Sequence, residues 1–273
     1  MYKNIVMKIL SFNINGIRAH WHQLKYIINI HNPDIIGLQE TRVDNLLFPK
    51  KELLELGYNV YINGQKKNYG VALLSRYKPL KIKNNVLNNN EQKRFIMIEI
   101  PTMIGNITII NCYFPQGDNR NNIIKFTQKI NFFKNLYYYI NNSFNTTDFI
   151  IIIGDINVSI TNLDIGISIK NQKKWLQQGK CSFLPEERMC VQKLLNWGFL
   201  DIWREMNPTI NNKFSWFDYR SKGYNSNIGL RIDIIFISKK LKKYYINADI
   251  DYGIRNMNRP SDHAPIWLDL NIF

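Results

Sequence analysis

Five stretches of this chain place polar residues where an apolar strand pattern does not want them. DIIGLQE ends in Glu40, and FIIIIGDIN ends in Asp155 and Asn157. SFNING carries Asn13 and Asn15, LRIDIIFIS carries Asp233 inside an apolar run, and PSDHAPIW sets Asp262 beside His263. Singly, each reads as an ordinary cap or turn, with Pro265 opening a strand. A carboxylate buried in such a strand costs roughly several kcal/mol unless it is paired or holds a metal. Four acids at strand ends are hard to explain as four separate turns, and strand ends are where layered α/β folds gather their sites.

The residue types narrow the chemistry. Hard oxygen donors without cysteine or clustered histidine favour Mg²⁺, with Mn²⁺ as a substitute. Glu40 is the best single ligand, and Asn13 and Asp262 support the same ion. Asp233 needs a buried partner, and His263 is the free one; such a pair fixes the ring tautomer and favours the imidazolium. Asp155 and Asn157, two apart, fall on one side of an extended segment. Asp155 would orient or deprotonate water, and Asn157 would hold a phosphate or that water. Together these parts describe metal-assisted phosphodiester hydrolysis.

Strands and helices must position these groups. Strand patterns cover residues 7–13, 34–39, 70–75, 94–100, 107–113, 149–153, 232–238, 245–250 and 266–270, the last as an edge or closing strand. Gly105-Asn106 is a hairpin signal. The unbroken apolar run 149–153 suits a strand covered on both faces. Helical stripes cover 19–29, 122–140 and 185–197, the last opening on Pro185 with Glu186 and Glu187 at the positive end of the dipole. The expectation is a layered α/β fold. KILSFNING and IIIIGDINVS, each an apolar strand ending in polar residues, hint at a pseudo-duplicated sandwich. Asparagine runs at 88–90 and 141–142 read as loop tips. With no linker, one domain is expected over residues 1–273, residues 1–6 being a short N-terminal extension and Met7 an alternative start.

Hydrophobic residues at 45%, with six Trp and fifteen each of Tyr and Phe, can fill a substantial core. Lys+Arg 36 against Asp+Glu 21 leaves +15, which suits nucleic acid or an anionic membrane surface. AT-rich codons supply part of that lysine without any function. Three cysteines and no CxxC fit a reducing cytoplasm and no disulfide framework. His20, His22 and His31 sit near one surface helix without a cysteine pair, which disfavours zinc. The start MYKNIVMKIL is too short and too polar for a signal peptide, and no apolar run reaches membrane-spanning length.

FNINGIRA, DIIGLQETR, YGVALLS, NCYFPQGDNR, IIGDINVS, KCSFLPEER, FSWFDYRSKG, GLRIDIIF and PSDHAPIW occur in that order from about residue 7 to about residue 270. In this series the chain resembles the exonuclease III family, the bacterial apurinic/apyrimidinic endonucleases of the endonuclease/exonuclease/phosphatase superfamily. The motifs LQE, GDxN and SDH mark the superfamily; FPQG, SFLPEER and SWFDYRSKG point to its DNA-repair branch. The resemblance implies a four-layer α/β sandwich with two packed central β-sheets flanked by helices. It implies cleavage 5′ to abasic sites in duplex DNA to leave a 3′-hydroxyl, with 3′-to-5′ exonuclease and 3′-phosphatase activities. The substrate would be duplex DNA with abasic sites or blocked 3′ ends, met by a cytoplasmic monomer.

Residue by residue, Glu40 matches the family's metal ligand, with Asn13 beside it. Asp155 and Asn157 match its water- and phosphate-positioning pair, and Tyr113 the tyrosine near the scissile phosphate or leaving group. Asp233 and His263 match its Asp–His pair, and Asp262 the acid before that histidine. We assign Asp155 as the base and His263 as the phosphate stabiliser; the number of ions stays open. For Phe214 to Phe217, core packing competes with a small apolar pocket for a flipped, baseless deoxyribose. Trp216 and Leu230 match the residues that shape that pocket. Backbone grip falls to Lys66, Lys67, Tyr69, Arg94, Gln116, Arg120, Lys173, Lys174 and Lys222. Cys112 stands where a small residue such as glycine is common, and the loop 171–176 keeps Lys-Lys-Trp but is locally Gln-rich, which bears on exonuclease strength.

Three rivals remain. A phosphoinositide or sphingomyelin phosphatase would share the acids but not FPQG or SWFDYRSKG. A non-selective deoxyribonuclease of the secreted type would be disulfide-bonded. A DNA-binding protein that had lost catalysis would keep only the basic surface.

Overall fold

The strand side chains alternate between two faces, and each face buries against a different partner. The structure is a computed structural model and describes residues 6–87 and 92–272. Residues 1–5 of the expected extension and the loop tip expected at 88–90 lie outside the described residues. In β1 (Val6–Asn13), Met7 and Ile9 join one apolar cluster while Leu10 and Phe12 join another. This is the period-two pattern that lets one strand serve two layers.

Along the chain follow α1 (Trp21–His31), β2 (Ile35–Gln39), α2 (Lys50–Glu55), β3 (Asn59–Asn63), β4 (Val71–Ser75), β5 (Lys81–Asn84), β6 (Phe95–Thr102) and β7 (Gly105–Tyr113). Then come α3 (Ile123–Ser143), β8 (Phe149–Asp155), α4 (Ile169–Gln177), α5 (Pro185–Trp197), β9 (Phe199–Asp201) and α6 (Ile202–Met206). The chain closes with β10 (Asp233–Ser238), β11 (Tyr245–Ile250) and β12 (Ile266–Asn271).

These strands form two six-stranded mixed sheets, ordered β11-β12-β1-β2-β4-β3 and β5-β6-β7-β8-β10-β9. Each contains one parallel pair, β1 with β2 and β7 with β8. Read from β11 in one sheet and β9 in the other, the strand directions follow the same pattern. The two sheets thus share one pattern of strand directions, and the two rhyming segments, β1 and β8, each lie in a central parallel pair.

The largest cluster lies between the sheets, where Ile9, Ile35 and Leu73 of the first meet Ile109, Ile151 and Ile235 of the second. Leu24, Ile27 and Leu53 of α1 and α2 cover the outer face of the first sheet. Phe133, Leu136, Val191 and Leu194 of α3 and α5 cover that of the second. The order is helix, sheet, sheet, helix, which is the expected four-layer sandwich. Each fully buried Ile or Leu contributes about 1.5–3 kcal/mol, so the inter-sheet layer holds the strands, and with them the residues at their ends, in fixed register.

Four expectations change. Asn141 and Asn142, expected as a loop tip, continue the last turn of α3. Residues 171–176, expected as a loop, lie within α4, whose first turn is capped by the Ser168 side chain. β12 is not an edge strand: it pairs with β1 on one side and β11 on the other. The run at 149–153 extends to Asp155, so that carboxylate belongs to the strand. Five short elements fall outside the expected pattern, β3, β5 and β9 with α2 and α6, and α4 is a short amphipathic helix carrying Ile169, Trp175 and Leu176. α4 buries no residue, and β5 (KIKN) has no buried position.

Candidate active site

The rows that face the inter-sheet layer end in polar residues at one rim. In β1 the inward row runs Met7, Ile9, Ser11, Asn13; in β8 it runs Ile151, Ile153, Asp155. Asn13 is in register with Gln39, Tyr113 with Asp155, and Asp155 with Asp233, the first residue of β10. Because β10 is antiparallel to β8, it begins where β8 ends. That topology delivers Asp233 to the same rim.

The side chains form one continuous polar chain, hydrogen-bonded throughout except where Asp155 meets His263 as an ion pair. The Tyr113 hydroxyl donates to Glu40 Oε1 at 2.6 Å. Asn13 Nδ2 donates to Glu40 Oε1 at 3.1 Å and to Asp155 Oδ2 at 3.0 Å, bridging the two acids. Asn157 donates to Asp155 through its backbone N–H (2.9 Å) and its side-chain amide (3.2 Å). His263 Nε2 lies 3.8 Å from Asp155 Oδ2, and its Nδ1–H donates to Asp233 Oδ2 at 2.8 Å. Ser215 Oγ accepts from the Asp233 N–H, and Ser261 Oγ accepts from the His263 N–H. Asp155 and Asn157 do meet, but not by lying along an extended strand. The chain turns after Asp155, with φ of +54° at Asn157. Glu40 adopts a left-handed φ of +51°, a conformation that costs such a residue about 1 kcal/mol or more.

The electrostatics follow from burial and pairing. Burial pushes the Glu40 carboxyl up, but the Tyr113 hydroxyl, the Arg42 charge and the Asn13 amide outweigh it and hold the group below the usual carboxylate range. Burial drives Asp155 upward; the His263 charge opposes this and Asp233 adds to it. His263 moves the other way from what burial alone would do: Asp233 and then Asp155 raise it and favour the imidazolium. Burial and the Glu40 and Asp155 charges push the Tyr113 phenol well up, which keeps it a donor.

Asp262 joins this chain indirectly. Its two oxygens accept from Asn15 Nδ2 (2.7 Å) and Trp216 Nε1 (3.1 Å), and the Asn15 N–H donates to Asn13 Oδ1. Glu40 and Asn13 offer oxygen donors, the carboxylate is held ionised, and neither a thiolate nor a histidine cluster stands beside them. That donor set fits a hard divalent cation. Asp155, Asp233 and His263 also bring ligand atoms within 4.8 Å of one another. Asp233 and Asp155 favour the imidazolium of His263, a cation that repels a metal ion, whereas the Glu40 carboxylate is held ionised, so Glu40 with Asn13 is the better place for an ion.

The outlying residues divide. Phe214 and Phe217 are core residues, whereas Trp216 is half-buried and exchanges backbone hydrogen bonds with the buried Leu230. Lys66, Lys67, Gln116, Arg120, Lys173, Lys174 and Lys222 are exposed, and Arg120 pairs with Glu186 at 2.8 Å. Arg94, expected on the DNA-facing surface, is only 5% exposed. Its guanidinium lies under the half-buried Tyr69 (4.0 Å) and Tyr113 (4.6 Å) and donates to the Tyr113 carbonyl. It supports Tyr113 from within, because a cation there finds two ring faces and a carbonyl. Cys112 is fully buried and leaves the Tyr113 hydroxyl in reach of Glu40. Sequence reasoning did not single out Arg42, which grips Glu40 Oε2 at 2.6 and 3.0 Å, although ETR placed it two residues on. Nor did it find Ser215 and Ser261, whose bonds to backbone leave no pattern.

Two packed α/β sheets with acids, an amide and an Asp–His pair at one rim define a phosphoesterase-like architecture. Residues 10–263 match the model of the Endonuclease/Exonuclease/phosphatase family, and the chain belongs to that family. It is 49% identical over 265 residues to exodeoxyribonuclease III of Haemophilus influenzae, covering 96% of this chain and 99% of that protein. It superposes on the 3′ phosphatase NExo from Neisseria bound to a product DNA hairpin with a TM-score of 0.88, at 28% identity, covering 97% of this chain and 99% of the other. An AP endonuclease from Archaeoglobus fulgidus gives 0.87 at 29% identity, with the same coverage of each chain.

Proposed function

We propose that this chain is a metal-dependent DNA-repair phosphodiesterase. It cuts duplex DNA 5′ to abasic sites to leave a 3′-hydroxyl, and it processes 3′ ends as an exonuclease and a phosphatase. The observation that carries the reading is the chain from Tyr113 through Glu40 and Asn13 to Asp155, and on through the ion pair to His263 and Asp233. In this reading Glu40 and Asn13 hold Mg²⁺, or Mn²⁺ in its place, with Asp262 in support through Asn15. The bound ion would supply charge stabilisation at the phosphate.

The residues do the rest. Asp155, whose affinity for a proton is raised, takes the proton of the attacking water, oriented by Asn157 and Asn13. His263, kept cationic by Asp233, donates from Nε2 to a phosphate oxygen as negative charge builds. The bond from phosphorus to the 3′ oxygen breaks, Tyr113 would stand beside that leaving oxygen, and the oxygen takes up a proton from water to become the 3′-hydroxyl. Trp216 and Leu230 would form the floor that admits a sugar without a base, and the exposed lysines and Gln116 would track the phosphate backbone. Among the described residues no helix is long and apolar enough to cross a membrane, and we place the enzyme in the cytoplasm as a monomer.

The test is the chemistry of the nick. A duplex with one natural abasic site, its aldehyde intact, should give a 3′ end that a polymerase extends without further treatment. A nick with a blocked 3′ end, as a lyase leaves, would overturn the assignment.

A further inference from the structure

Lys129 of α3 is fully buried, as is Glu187 of α5, and the two are paired. Neither belongs to the chain of side chains that would do the chemistry. The Lys129 ammonium nevertheless uses its remaining donors on two backbone carbonyls of that site: Asn157 at 2.8 Å and Gln116 at 3.2 Å. Asn157 is the residue that orients Asp155, and Gln116 is the exposed tip of FPQG. The Glu187 carboxylate accepts from the Ser182 N–H and the Leu184 N–H at 2.7–3.1 Å. Gly117 closes the arrangement: at φ +87° a side chain there would place its Cβ 2.7 Å from Lys129 Cδ and 2.8 Å from Cys181 Sγ.

We propose that Lys129, with Glu187 as its counter-ion, is a positioning residue. It ties the Asp155–Asn157 turn, the FPQG loop and the SFLPEER segment into one rigid body, so that Gln116 and Asn157 meet the same DNA strand in fixed relation. Stability alone does not require this pair, since buried ion pairs are commonly replaced by apolar residues of similar volume without loss. What an apolar pair cannot do is hold two carbonyls from separate loops with charged donors. Asn157 needs such a hold, because its left-handed backbone has competing conformations. The SFLPEER motif thereby gains a role beyond capping: Glu187 pairs with and orients the lysine that grips the catalytic turn.

The inference rests on the proposed nuclease activity, and the experiment separates the two. Lys129→Met alone leaves a buried unpaired carboxylate and should unfold readily. The double variant Lys129→Met/Glu187→Gln removes both charges and should recover most of the lost melting temperature. Its kcat on an abasic duplex, read far below that melting temperature, should still be lower by about tenfold or more. Recovery of stability and rate together would overturn the proposal. Recovery of neither would make the pair a packing element and overturn it as well. Absence of cleavage by the unaltered protein in the same assay would overturn the functional reading, and this one with it.

Discussion

His263 Nδ1 and Asp233 Oδ2 lie 2.8 Å apart, and both side chains are almost wholly buried. The pair joins the loop before β12 to the first residue of β10, strands of different sheets. The aspartate therefore holds the imidazole ring in one orientation and stabilises its cation. Asp233→Asn keeps the shape and removes the charge. We expect single-turnover cleavage to fall by about two orders of magnitude or more, with the affinity for duplex DNA nearly unchanged. A titration of the His263 ring by NMR should show its pKa lower in the variant, since its first source of upward shift is gone.

Tyr113 acts on Glu40. Its hydroxyl is the first of the groups that offset the burial of that carboxylate. Tyr113→Phe should raise the Mg²⁺ concentration needed for half-maximal activity. It should also slow turnover by roughly tenfold, the worth of one hydrogen bond to a charged group. A metal titration of the rate checks both.

Asp164 predicts how stability depends on pH. Its Oδ1 accepts from Arg231 (2.7 Å) and Arg204 (2.5 Å), and Oδ2 accepts from Thr161. Burial opposes ionisation, but Arg231 and then Arg204 pull the carboxyl down to about 2. A folded value below the unfolded one stabilises the protein above the unfolded value, and that stability is lost as pH falls through the folded one. The loss therefore spans the interval from 3.8 to about 2 and amounts to about 2 kcal/mol. Asp164→Asn should destabilise by about 3 kcal/mol at neutral pH and flatten the acid limb of the stability curve. Denaturant unfolding across that range measures it. Arg231 also pairs with Asp201 at 2.6 Å, so this network anchors the segment that carries Leu230 into β10.

The Trp216 indole donates to the Asp262 carboxylate, while the Trp216 backbone pairs with that of Leu230. Trp216→Ala should lower the ratio of cutting at an abasic site to cutting of intact duplex, while leaving the metal requirement alone. Competition between the two duplexes in one reaction measures the ratio, and an unchanged ratio would remove the pocket.

Much of this was legible in the sequence, for a physical reason. The central strands are long apolar runs, so their existence follows from hydrophobicity alone. Each acid at the rim breaks such a run and announces itself. The run from Phe149 to Ile153 followed by Asp155 did both at once. What stayed hidden lacks that contrast. β5 is short and exposed, with no buried position, and α4 is amphipathic but so polar, with no buried residue, that it does not stand out as an apolar stripe. Arg94 looked like any surface cation; only the folded chain shows that two tyrosine rings and a carbonyl shelter it. Arg42, Ser215 and Lys129 act through partners distant in sequence or through backbone atoms, and residue type does not encode those.

The central claim is that the rim between the sheets directs metal-dependent cleavage to missing bases. It is tested most directly by incubating the protein with a duplex bearing one stable abasic analogue beside an intact duplex, each with Mg²⁺ and with EDTA. The account predicts a single cut on the 5′ side of the abasic position, present with Mg²⁺ and absent with EDTA, with the intact duplex spared internally. Equal cutting throughout both duplexes, or binding without any cut, would contradict it.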